Sequence, residues 1–473
     1  MKSSKYDKIL SQVLKRITPN KEERNRVLAL AEQITHQVEQ HARKSGLDAQ
    51  VCVEGSIAKD TWLRQEPDID VFVRVPPTVP RKLFRTKYLE VARQATKGAR
   101  QIERFAEHPY LEAILNGTRI NIVPCYKVRK NEWKSATDRT PFHTRYVKPR
   151  MNSKLAGQVR LLKAFMKGIS GYGAEIEIGG FSGYLCELLI LFYRSFLSTL
   201  RAASNWQTPT IIDLENHYGG NTDELKRAFQ APIVVFDPVD EKRNAASAVR
   251  KDKLSLFIAA SRAFLDKPRR EFFQPPQTPP LKPDKLINIL RERGTTLAFI
   301  ISTVQETVPD ILWGQLYKSE RSIRNLVSQN DFEIFRSAAW TDLKNRIVFV
   351  LEVQNQHLPK LKKHLGPPLR KKEECRRFLS KYISSEKTLS GPRIEGSRWI
   401  VDIKRNYTNI IDLLEDKLKD GGKNLGIAET IVEAAAHSLQ ILVNAEILPI
   451  YARDKKFSSF LTRYLKGQPP WFP

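Results

Sequence analysis

Two aspartates separated by one apolar residue, Asp68-Ile69-Asp70, open a run that continues Val71-Phe72-Val73. Side chains two apart on a strand point to the same face. Asp68 and Asp70 therefore present paired carboxylates at one spot. Just upstream, Glu54-Gly55-Ser56-Ile57-Ala58-Lys59-Asp60-Thr61-Trp62 follows a short apolar strand at Val51 and Val53 and reads as a helix start. Backbone N–H groups and the Ser56 hydroxyl can cradle phosphate oxygens there, while the carboxylates hold a hard cation such as magnesium through oxygen. A lone D-x-D is more often an acidic surface turn. With Gly-Ser upstream and apolar residues around both aspartates, a nucleotidyl-transfer site is the stronger reading.

Charge points to a polyanionic partner. The 473 residues carry a formal net charge of +27, and the pI is near 9.8. Phosphate backbones are the natural complement of such a surface. An anionic membrane would need an amphipathic or lipidated anchor, and Met1-Lys2-Ser3-Ser4-Lys5 offers none. No apolar run reaches spanning length, and Glu187 interrupts the richest one, Gly183 to Tyr193. The four cysteines, Cys52, Cys125, Cys186 and Cys375, form no C-x-x-C pair and mostly sit in apolar settings. Buried free thiols in a reducing cytoplasm are expected, rather than zinc or disulfides.

The periodicity predicts a helix over residues 5–17, stopped by Thr18-Pro19, and a second over Lys21–Arg43. Strands are expected near 49–54, 68–74 and 119–124, with helices just after Ser56 and around Arg81–Ala99. From about 151 the pattern turns helical, including Tyr184 to Leu200 with Ser182 as N-cap. Pro275-Pro276, Pro279-Pro280 and Pro283 mark a linker. Beyond it Lys285–Arg293 reads as helix, Thr296–Val304, Asn345–Val353 and Arg398–Ile403 as strands, and Ile427–Asn444 as helix. The basic run from Lys360 to Lys381 is expected to span a loop, broken by Pro367-Pro368, and a helix start.

Gly55-Ser56 with Asp68-x-Asp70 resembles the DNA polymerase β nucleotidyltransferase superfamily. Later stretches narrow the resemblance to archaeal-type (class I) CCA-adding enzymes, the tRNA nucleotidyltransferases. They are Val123-Pro124-Cys125-Tyr126-Lys127-Val128, Asp138-Arg139-Thr140-Pro141-Phe142-His143, Tyr172-Gly173-Ala174-Glu175, Gly180 to Leu189 and Asp237 to Asn244, in family order. The C-terminal half matches more weakly, as at Gly396-Ser397-Arg398-Trp399. The resemblance implies an α+β multidomain chain. A nucleotidyltransferase-type mixed α/β catalytic head would occupy 1–150, a helical central (neck) domain 151–270, and an α+β, tRNA-binding C-terminal body and tail 271–473.

One position departs from the family, which places a third metal-binding carboxylate on the strand before Val-Pro-Cys-Tyr. Here that strand reads Arg119-Ile120-Asn121-Ile122-Val123, and Asn121 takes the place. An amide oxygen can touch a cation but carries no charge and is a poor general base. Either the chain is an impaired form, or a nearby residue compensates. The sequence names no such residue.

The other roles are implied by resemblance. Ser56, Lys59, His143, Lys163 and Tyr172 would bind the triphosphate, and Arg243 would face the incoming base. Lys59 stands where the family has arginine, which keeps the charge and loses the bidentate fork. Asp68, Asp70 and Asn121 would line the magnesium site, and Lys371, Lys372, Arg376 and Arg377 would touch RNA phosphates. The implied reaction is template-independent addition of CCA: a tRNA 3′-hydroxyl attacks the α-phosphate of CTP or ATP. The implied partners are tRNA, CTP and ATP, with no membrane; a homodimer is left open. Two other readings stand beside it. One is a poly(A) polymerase-like or nucleotide-second-messenger enzyme, which would lack the later stretches. The other is a catalytically silent, tRNA-binding form, suggested by Asn121 alone.

Overall fold

The computed structural model of the chain describes residues 5–105, 108–219 and 230–472. Met1–Ser4, where the N-terminus was read for an anchor, lie outside them. The chain divides into two compact units, Met1–Gln277 with Gln468–Pro473, and Thr278–Gly467. Residues 1–150 and 151–270 thus fall in one unit. Among the described residues no single helix is long and apolar enough to cross a membrane.

In the first unit, helices α1 (Asp7–Ile17) and α2 (Lys21–Lys44) precede a five-stranded sheet. Its strands are β1 (Gln50–Glu54), β2 (Asp68–Val75), β3 (Arg100–Phe105), β4 (Pro109–Leu115) and β5 (Thr118–Tyr126), in the order β1-β2-β5-β4-β3. Only β2 and β5 are parallel neighbours. Alternation sorts the two faces. Ile69, Val71, Ile120, Ile122, Leu111 and Ala113 go into one core with Val27, Ala31, Ile34 and Val38 of α2. The helix expected over Arg81–Ala99 is shorter, a π turn at Phe84–Tyr88 followed by α4 (Leu89–Ala95), because Thr96, Lys97 and Gly98 turn the chain into β3. The helix after Ser56 is the one-turn α3 (Gly55–Ala58).

Helices α5 (Thr140–Val147), α6 (Ser153–Gly168), α7 (Gly183–Tyr193) and α8 (Phe196–Ala203) follow. Ser182 caps α7, accepting from the Leu185 N–H at 3.1 Å. The single helix expected from Tyr184 to Leu200 is two. Arg194 adopts a left-handed φ of 69° and ends α7, and the Ser195 side chain caps α8. The two axes bend by 93°. That break lets Phe196 turn back onto Phe165, Phe264 and Phe273 in a buried aromatic cluster. A small sheet of β6 (Thr210–Ile212), β7 (Ile233–Asp237) and β8 (Asp240–Asn244) lies beyond.

The second unit holds two sheets. The first has the order β10 (Ile334–Thr341), β11 (Arg346–Val353), β9 (Thr296–Thr303), β15 (Gln440–Val443). The second has β12 (Leu361–Pro368), β14 (Arg398–Lys404), β13 (Thr388–Glu395). Two expectations are corrected here. The helix read over Ile427–Asn444 is Glu429–Ser438, and the residues after it form β15 on the edge of β9. The basic run is not a loop: Leu361–Pro368 is an edge strand, where a missing proline N–H costs no ladder bond.

Candidate active site

The register across β2 and β5 sets Asp68 opposite Arg119 and Asp70 opposite Asn121. With the alternate residues in the core, these four share the other face. Arg119 Nε donates to Asp68 Oδ1 at 2.8 Å, and Asn121 Nδ2 donates to Asp70 Oδ1 at 2.9 Å. Burial pushes the Asp70 carboxyl up to about 6; the bond from Asn121 opposes this and the Asp68 charge adds to it. Burial also raises Asp68, against the pull of Arg119.

Gly55 closes the other side. It holds a φ of 68°, and a Cβ there would lie 2.0 Å from Asp70 Oδ2. Only glycine lets the backbone approach this closely. The next residue, Ser56, is the second residue of α3. Two hard oxygen donors on one face, one of them destabilised as an anion mainly by burial, fit a divalent cation. The third position holds an amide, and among the described residues no group of three His, Cys, Asp or Glu side chains is placed to hold a metal ion.

A second cluster is built on Glu187 of α7, which is 1% exposed. Its Oε2 accepts from Lys59 Nζ at 2.5 Å, and its Oε1 from Thr61 Oγ1 at 2.5 Å and Lys163 Nζ at 3.4 Å. Lys163 also donates to the Thr61 carbonyl at 3.1 Å. Burial alone would raise the Glu187 carboxyl, but the two ammonium charges and its hydrogen bonds hold it below the usual range. Burial lowers Lys163 despite Glu187. Lys59 and Lys163 thus share an internal counter-ion, and α6, α7 and the Gly-Ser loop are tied at one point.

A third cluster forms around Asp237, fully buried at the end of β7. His143 Nε2 donates to its Oδ2 at 2.9 Å and Arg243 Nη1 at 2.6 Å, while Tyr184 Oη donates to its Oδ1 at 2.9 Å. Burial works against the Asp237 anion, but the His143 bond and the Arg243 charge hold it down at about 2. Burial lowers His143, against the pull of Asp237. Its ring stacks on Tyr184 at 3.9 Å and 22°, and Lys59 Nζ lies 5.6 Å from the other ring system, that of Tyr184. Tyr184 therefore joins the Glu187 and Asp237 clusters.

Three domain families match the chain in order: "Nucleotidyltransferase domain" over 35–145, "tRNA nucleotidyltransferase, second domain" over 157–274 and "CCA-adding enzyme, C-terminal domain" over 293–442. A CCA-adding enzyme of Methanosarcina mazei is 35% identical over 456 residues, 96% of this chain and 97% of its own length. The chain belongs to the CCA-adding enzymes. A CCA-adding enzyme of Methanothermobacter thermautotrophicus is 34% identical over 98% of both chains. Among solved structures, a cytoplasmic RNA terminal U-transferase covers 57% of this chain and 98% of its own at 14% identity, with a TM-score of 0.45.

As a member of the CCA-adding enzymes, the chain is a tRNA nucleotidyltransferase with the mixed α/β head its sequence suggested. Asp68, Asp70 and Asn121 come together on one sheet face, and Gly55, next to Ser56, packs against Asp70. Lys59 and Lys163 meet at Glu187, and His143 and Arg243 meet at Asp237. Tyr172, between α6 and α7, has its hydroxyl 3.0 Å from where a Cβ on Gly183 would lie. Arg243 pairs with Asp237; the neighbouring Asp240 instead takes Arg139 at 2.7 Å. Sequence reasoning missed Glu187, Asp237 and Tyr184 as organisers. The signal for Glu187 was a lone acid in an apolar helix, and for Asp237 the acid opening Asp-Pro-Val-Asp.

In the second unit, Lys371 directly precedes the helix Lys372–Tyr382. Cys375, Phe378 and Tyr382 face inward, and Lys371, Lys372, Arg376 and Arg377 are exposed. Lys371 pairs with Glu374 at 2.9 Å and Arg376 with Glu373 at 3.5 Å.

Proposed function

We propose that this chain adds CCA to the 3′ end of tRNA from CTP and ATP, without a nucleic-acid template. The observation that carries the reading is the shared face of Asp68 and Asp70, closed by the Gly55-Ser56 turn. Asp68 and Asp70 would hold Mg2+. Bound there, the ion would supply charge neutralisation at the triphosphate and would activate the attacking hydroxyl. Ser56 and the α3 backbone take terminal phosphate oxygens. Lys59 and Lys163 bring positive charge to that side, fixed in place by Glu187. His143 and Arg243, oriented by Asp237, present donors to the nucleotide, and Arg243 faces its base. Arg243 has donors and no acceptor, so it satisfies only part of a cytosine or adenine edge. The test is extension of a tRNA lacking its terminal CCA with labelled CTP or ATP; absence of any extension at high enzyme concentration refutes the reading.

A second reading has its own observation. The Asn121 amide donates to Asp70, where the family's third carboxylate would share a cation with it. On that reading the chain binds tRNA and nucleotide with slow transfer, and Asn121→Asp raises kcat by orders of magnitude at unchanged tRNA affinity. The gain arises because the added charge acts mainly in the transition state. Single-turnover extension separates the two readings; equal rates for both forms assign the third role elsewhere.

A further inference from the structure

The parallel strands β2 and β5 end side by side, with Val75 opposite Tyr126, and the Lys127 N–H donates to the Val75 carbonyl at 2.7 Å. The segments that leave these two strands stay together. Tyr126 Oη donates to the Val79 carbonyl at 3.2 Å and Lys134 Nζ to the Pro77 carbonyl at 2.6 Å, and the Phe84 and Tyr126 rings lie 4.9 Å apart. The loop over 127–134 is pinned at its ends by one carboxylate. Asp138, fully buried, accepts from the backbone N–H groups of Tyr126 at 2.7 Å, Lys134 at 2.9 Å and Ser135 at 2.7 Å, and from the Ser135 hydroxyl at 2.8 Å. An irregular loop tied in this way holds its side chains in one place.

Those side chains are mostly cations. Residues 81–88 contain no acid, and residues 127–134 contain only Glu132. Phe84 and Tyr88 of the π turn are buried, and Arg85 and Lys87 between them are exposed. Lys82, Lys127, Arg129 and Lys130 are exposed as well. Among the described residues no acid pairs with any of these six. In the second unit, by contrast, Lys371 and Arg376 each have a glutamate. Like charges gathered without counter-ions repel one another, and a polyanion relieves that repulsion.

We propose that these two segments form a grip on the phosphate backbone of the tRNA stem. This rests on the proposed tRNA substrate. Duplex RNA is recognised through its backbone and shape rather than its base edges, which suits unpaired lysine and arginine on a fixed loop. Lys127 lies six positions along the chain from Asn121, about 20 Å at the rise of a strand. The grip therefore takes phosphates well away from the reacting 3′ end. An anionic membrane would call for apolar side chains beside the cations. Among the described residues of 76–88 and 127–134 no large apolar side chain is exposed.

The test is RNA binding by the full chain over a range of salt. The probes are a tRNA lacking its CCA, a hairpin of its acceptor stem and a single-stranded oligonucleotide of its 3′ end. Lys82→Gln, Arg85→Gln, Arg129→Gln and Lys130→Gln together should weaken the tRNA and the hairpin at least about tenfold, and reduce the slope of log K against log salt by about 3. The single strand should change less than about twofold. An unchanged slope with tRNA, or equal losses on hairpin and single strand, overturns the proposal. Phosphatidylserine–phosphatidylcholine vesicles are the counter-probe: a variant that loses vesicle binding and keeps tRNA binding gives this surface to a membrane. If the natural chain binds no tRNA, the tRNA reading itself falls. If it binds and the variant matches it, only the role of this surface falls. Should the fourfold variant not fold, Arg129→Gln with Lys130→Gln carries the same test, with a slope reduced by about 1.5 in support and equal slopes against.

Discussion

Replacing Glu187 by glutamine removes one charge and leaves the shape almost unchanged. Two lysines, Lys59 and Lys163, with side chains 6% and 3% exposed, then lose their counter-ion. Removing one partner of a buried pair costs about 3–5 kcal/mol, because the charge left behind stays desolvated. Glutamine retains an oxygen for Lys59 or Thr61, so the lower end, about 3 kcal/mol, is expected. That is roughly a hundredfold increase in local opening. Hydrogen exchange read by mass spectrometry over residues 55–64 and 183–193 measures it, since both segments are tied to this carboxylate. The pH dependence carries a sign. Lys163 is held below its ordinary value in the folded chain, and losing Glu187 lowers it further. A lysine depressed in the folded state costs most where the unfolded chain is fully protonated. The deficit in thermal midpoint should therefore shrink as pH rises from 7 toward 10. A loss of protection below about threefold, or a deficit that does not shrink, refutes Glu187 as the shared counter-ion.

Asp68→Ala or Asp70→Ala should abolish nucleotide transfer while tRNA affinity changes less than about twofold; a comparable loss of tRNA binding in a filter assay counts against the cation assignment. The affinity for tRNA should fall steeply with salt as counterions are released. Neutralising Lys371, Lys372, Arg376 and Arg377 together should flatten the slope of log K against log salt, and an unchanged slope returns them to a solvated face. Burial lifts Asp70 to about 6 in the folded chain, so folding is favoured at pH 4 and penalised above pH 6. Metal-free Asp70→Asn should gain on the natural chain by up to about 3 kcal/mol across that window, read by denaturant melts at pH 4 and 7; a constant difference would sink the point.

Local pattern was enough for the elements that carry chemistry. Period-two alternation gave β2 and β5, the Ser182 cap gave the start of α7, and Gly-Ser ahead of D-x-D located the one-turn α3. These features depend on residues a few positions apart, and side-chain direction follows from backbone period alone. What stayed hidden was whatever distant segments decide together. The end of α7 at Arg194 follows from aromatic packing between α6, α8 and later residues, and β12 keeps its prolines because it is a sheet edge.

The sequence by itself determined the carboxylate pair, the apolar faces, the basic surface and the amide at 121, since each is a matter of residue type and spacing. Only the tertiary structure decided what each charge faces. Lys59 is 128 residues from Glu187, and His143 is 94 from Asp237. Glu112 becomes the neighbour of Asn121 only because β4 pairs antiparallel with β5. A buried charge is stabilised by the partner that desolvation forces upon it, and chain topology selects that partner.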